Sequence, residues 1–159
     1  EETVSVAGVI ASLPTLPMMI VFYLSMALTI RAGIHFLLTG RAAGWFALFS
    51  IISLIASLLG IISFISIYIY QQPTHHCPFD ILQGEYGYIG YPLYLALLCG
   101  GVCGISVGVL ERQRHRDSLA EIIPTAQKKL CVACMMAYIL FILISAGPIL
   151  FTDFSLRGY

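Results

Sequence analysis

The chain has 159 residues, 59% of them hydrophobic and only 10% charged, against roughly a quarter charged in ordinary soluble domains. With a mean hydropathy of +0.93, a freely soluble globule is excluded. Eight basic and eight acidic residues cancel, so the basic footprint of a nucleic-acid binder is missing and no nucleic-acid partner is expected.

Charged residues divide the chain into four long uncharged stretches, and about 20 apolar residues suffice for one helix to cross a bilayer core. The first span is predicted over about 14–38, with Pro14 and Pro17 suited to its first turn. The second is predicted over 45–70, about 39 Å of helix and long enough to tilt or protrude. The third is predicted over 91–110, starting beside Pro92, and the fourth over 130–152, between Lys129 and Asp153. The expectation is an all-α integral membrane protein: one domain over 1–159, folded as a four-helix bundle.

Lys and Arg set the orientation, because positive charge stays on the cytoplasmic flanks of spans. Arg31 and Arg41 flank the first join, and Arg112, Arg114, Arg116, Lys128 and Lys129 lie between spans three and four. The termini and the 71–90 loop carry Glu1, Glu2, Asp80, Glu85 and Asp153 against Arg157 alone. Both termini and that loop are therefore expected outside, and a chain opening at Glu1 agrees with a cleaved leader.

Small residues let helix backbones approach closely in lipid. On the third span Ala96, Gly100, Gly104 and Gly108 recur every four residues as overlapping GxxxG motifs. They are the expected helix-packing face, serving this bundle or a docked subunit. Isoleucine and leucine cover every side of the second span, from Ile51 to Ile65, so wide lipid contact is expected there. Trp45 at one end, with Tyr68, Tyr70, Tyr88, Tyr91 and Tyr94 at the other, fits aromatic belts at the two interfaces.

Potential chemistry is sparse. The 71–90 loop holds His75, His76, Cys77, Asp80 and Glu85. His75, His76 and Cys77 are its candidate metal ligands, yet their spacing matches no zinc pattern and no metal is assigned. Its Phe79, Ile81, Leu82 and Tyr86 suit a docking platform. His35 is the only histidine within reach of a span, and Arg31 lies one turn earlier on the same face. Ionisable groups at such depth are functional candidates, here for contact with a quinone or a b-type haem. No CxxCH occurs, so c-type haem is not expected. No GxGxxG, P-loop or HExxH motif occurs either. The basic stretch from Glu111 to Lys129 attracts anionic lipid.

Four of the five cysteines fall inside spans, Cys99 and Cys103 on the third and Cys131 and Cys134 on the fourth. Cys131-Val-Ala-Cys134-Met-Met-Ala-Tyr138 resembles the active-site helix of the vitamin K epoxide reductase family. That family is a four-helix bundle that reduces quinones, so the resemblance implies an intramembrane thiol–disulfide oxidoreductase using Cys131 and Cys134. It covers eight residues. The topology departs from the family, whose loop cysteines lie on the same side as the CxxC, whereas Cys77 is expected outside and Cys131 at the inner end.

The favoured reading is a non-catalytic integral membrane subunit of a respiratory or electron-transfer complex, anchoring an extracytoplasmic component. Its partners would be other membrane and extracytoplasmic subunits and lipid. Its place would be a prokaryotic cytoplasmic membrane or an equivalent energy-transducing one. The oxidoreductase is the alternative.

Overall fold

The computed structural model describes residues 14–71, 77–114 and 122–151. Every regular element among them is helical. Four helices are long and apolar enough to cross a membrane: α1 (Thr15–Thr39), α2 (Ala43–Tyr70), α3 (Gly90–Gln113) and α4 (Ile122–Phe151).

The α1–α2 join is a tight reversal. Gly40 takes a left-handed conformation at φ 65° and its N–H donates to Phe36 O at 2.8 Å, the usual way a helix ends on glycine. Facing residues then run in opposite order along each helix pair. Phe22 and Thr29 of α1 meet Phe64 and Ser53 of α2. Gly101, Gly104 and Gly108 of α3 meet Leu54, Ser50 and Ala47 of α2. Gly100 and Gly104 also approach Tyr138 and Cys134 of α4, and Phe141 of α4 closes the ring on Phe22. The result is an up-down-up-down bundle around Phe22, Phe36, Phe46, Phe64, Tyr138 and Phe141, all fully buried.

One end of the bundle carries the α1–α2 turn, Arg112, Arg114, Lys128 and Lys129 and is called the basic end. Here α4 begins at Ile122, eight residues before the expected 130, so part of the presumed loop is helix. Packing explains the early start. Ile123 is buried, and buried Gln127 donates through Nε2 to Val107 O at 3.1 Å and to Glu111 Oε2 at 2.8 Å. Arg114 reaches Gly40 O at 3.3 Å and so ties α3 to the α1–α2 turn.

The opposite end is covered by residues 77–89, with short 3₁₀ turns at Asp80–Leu82 and Gly84–Tyr86. This cap is stapled down. Tyr70 OH donates to Cys77 O, Tyr94 OH donates to Pro78 O, and the Tyr70 and Tyr86 rings lie 4.6 Å apart. Ile81 is fully buried, and its carbonyl comes so near α3 that a Cβ on Gly90 would lie 2.8 Å from it.

Two expectations change. Half of the apolar window of α2 is buried, more than in any other span, although Ile51, Ile52, Ile55 and Leu58 do face outward. Up to Gly60 the buried side is lined by Ser50, Ser53, Ala56, Ser57 and Gly60, and the large aliphatics Ile61, Ile65 and Ile67 turn inward only beyond it. The tyrosine belt also divides. Tyr88 and Tyr91 are about 60% exposed, at 59% and 60%, while Tyr68 and Tyr70 are buried and Tyr94 is half-buried. The hydroxyls of Tyr70 and Tyr94 are used to hold the cap.

Candidate functional site

Five serines occupy the buried side of α2, and three of them, Ser50, Ser53 and Ser57, lie in the α-helical stretch nearer the basic end. In lipid an apolar helix gains nothing by hiding a hydroxyl unless it finds a partner, so buried serines mark contacts between helices. Ser53 Oγ lies 2.8 Å from Thr29 Oγ1 of α1. Thr29 also donates to Ser25 O at 3.0 Å, and Ser57 donates to Ser53 O at 2.6 Å.

Ser50 is the centre of this seam. Its Oγ lies 3.2 Å from Tyr138 OH and 3.6 Å from Cys134 Sγ, and Tyr138 OH donates to Ser50 O at 2.9 Å. The glycines of α3 make room for these groups. A Cβ on Gly104 would sit 1.9 Å from Ser50 Oγ, and one on Gly100 would sit 2.7 Å from the Tyr138 ring. Gly108 stands 2.6 Å by the same measure from Ala47, and Ala96 is buried on this face. The glycine face is therefore occupied by α2 and α4 of the same chain.

Cys131 and Cys134 are fully buried, but their thiols address different helices. Cys131 Sγ points to Gly33 O of α1 at 3.7 Å, whereas Cys134 Sγ contacts Ser50 of α2. A disulfide between them would have to break both contacts. Cys99 is exposed on α3, with its thiol within hydrogen-bonding reach of Cys103 one turn on. The seam offers hydroxyls and thiols that hydrogen-bond between helices.

His35 and Arg31 share one face of α1, as the spacing implies, and both are exposed at the side of the bundle. A group held by them would lie against the outer surface of α1. Cys77 is half-buried in the cap with its carbonyl taken by Tyr70, while His75 and His76 lie outside the described residues. Among the described residues no cluster of three or more His, Cys, Asp or Glu could hold a metal ion.

Sequence reasoning passed over several of these groups. Ser50, Ser53 and Ser57 recur at helical spacing, and that pattern of lone polar residues in an apolar helix is the available signal. Gly33 was also missed; a Cβ there would lie 2.7 Å from Met135 Sδ. Gly104-Ile-Ser106-Val-Gly108 formally spells GxSxG. It lies inside α3 and not at a strand-to-helix elbow, and Ser106 donates to Val102 O at 2.7 Å.

Comparison with protein-family models, with curated proteins and with solved structures returns no match.

Proposed function

We propose that this chain is an integral membrane anchor subunit that presents its cap to an extracytoplasmic component of a larger complex. The observation that carries this reading is the cap itself. Residues 77–89 are fixed to the helix ends through Tyr70, Tyr94 and buried Ile81, yet they leave Phe79 69% exposed, and Tyr88 and Tyr91, whose rings lie 6.1 Å apart, are exposed as well. Exposed aromatic side chains on a tethered cap suit a protein contact, since they give large contact area with little ordering cost. The basic end, with Arg41, Arg112, Arg114, Lys128 and Lys129, is assigned to the cytoplasm by the positive-inside rule, which puts the cap and Asp80 and Glu85 outside.

The narrower assignment, to an electron-transfer complex of an energy-transducing membrane, draws on His35 and Arg31. One turn apart and facing out from α1, they suit a quinone or b-type haem shared with a neighbouring subunit.

Native mass spectrometry of the protein, released from its own membrane in mild detergent, tests both levels. The expected spectrum shows this chain bound at fixed stoichiometry to larger subunits, with a quinone or haem mass that His35→Ala removes. A bare chain without partner or small molecule contradicts the proposal.

A further inference from the structure

A π-helical turn, Ile61–Ile65, interrupts α2 just after Gly60. Within it the backbone ladder slips by one residue, so that the Ser66 N–H pairs with Ile61 O, five residues back. Such turns are rare and often mark functional positions. Ser63 lies inside the turn and Ser66 at its end; both are fully buried, and neither hydroxyl has a hydrogen-bond partner among the described residues.

Every other buried serine or threonine among the described residues has one. Ser25, Thr29, Ser57 and Ser145 each donate to a carbonyl three or four residues back, at 2.6–3.1 Å. Ser50 and Ser53 bond across helices. Back-bonding needs the carbonyl of the preceding α-turn in regular position, and Ser63 and Ser66 stand within and at the end of the turn where the ladder slips. Two hydroxyls three residues apart in the chain are thereby left needing a partner from elsewhere.

We infer that the π-turn of α2 is an internal hydration site, in which water bonded to Ser63 and Ser66 completes the hydrogen bonding of the widened turn. The chemistry selects the guest. Ile61, Phe64, Ile65 and Ile67, which flank the two serines in the chain, are fully buried and apolar and offer no charge. Zero exposure of both serines excludes a lipid ester or a quinone ring reaching in from the side. Water is small enough, and it both donates and accepts, as two hydroxyls require. The site lies one turn before the end of α2 at Tyr70, between the packed seam and the cap, and gives α2 a polar joint at that level.

Water-edited solid-state NMR of the full chain in lipid bilayers tests the inference. Magnetisation from water should build up on Ser63 and Ser66 as fast as on exposed Tyr88, and several-fold faster than on Phe64 or Phe22. In Ser63→Ala/Ser66→Ala the transfer at these positions should be lost while that at Tyr88 is unchanged. Equal, slow build-up at Ser63, Ser66 and Phe64 in the unmutated protein would overturn the inference. So would transfer at positions 63 and 66 that persists in the double variant. The unmutated measurement stands alone if that variant does not fold.

Discussion

The glycine face of α3 and the His35–Arg31 face of α1 are the two surfaces that the sequence marks most strongly, and the bundle treats them in opposite ways. Gly100, Gly104 and Gly108 are filled by Tyr138, Ser50 and Ala47 of the same chain, whereas His35 and Arg31 turn outward. Small residues inside lipid are consumed where backbones meet. Residues with charge or imidazole are left at a surface where a partner, a headgroup or a cofactor can reach them. Stability and function are thus expected to separate between the two faces, and substitutions on each should show it.

The largest effect is expected at Gly104. Its Cβ would overlap Ser50 Oγ at 1.9 Å, so Gly104→Val should cost about 3 kcal/mol or more. Unfolding in mixed micelles titrated with a denaturing detergent measures this, and a near-neutral result would break the claim that α2 and α4 fill the glycine face. Tyr138→Ala, which empties the notch at Gly100 and removes two contacts to Ser50, should cost about 3 kcal/mol by the same assay. Tyr138→Phe keeps the ring and loses the hydroxyl alone, for which about 1 kcal/mol is expected.

Cys134→Ala sharpens the comparison by setting packing against chemistry. As a packing group beside Gly104, Cys134 should cost about 1 kcal/mol to remove, with complex assembly intact. A lost quinone-linked thiol oxidation in the same variant, with the fold preserved, would instead favour the oxidoreductase. The smallest stability change is expected at the outward face. Arg31→Ala and His35→Ala should stay within about 0.5 kcal/mol of the parent while loss of any bound quinone or haem is read from the optical spectrum and the extracted mass.

Span number and approximate position were legible because charge runs punctuate the apolar stretches, as between Ile30 and Trp45. The GxxxG spacing on α3 was legible for the same reason: it is local and periodic. The start of α4 was not, since Lys128, Lys129 and Gln127 read as loop, and only the bonds of Gln127 to Val107 and Glu111 show why helix continues through them. The seam was hidden by the aliphatics of α2. Hydropathy weighs Ile51 and Ile55 heavily, yet those face out, and the serines between them do the packing. The divergence of Cys131 and Cys134 also lay beyond the spacing, because three residues on a helix share a broad face but need not share a neighbour.

The most direct test places a photoreactive phenylalanine analogue at exposed position 79 of the cap, in the protein's native membrane. Illumination should yield one adduct of defined mass joining this chain to an extracytoplasmic polypeptide, and the same probe at Leu95, on the exposed side of α3, should yield lipid adducts. Lipid adducts alone from position 79 would contradict the anchor reading.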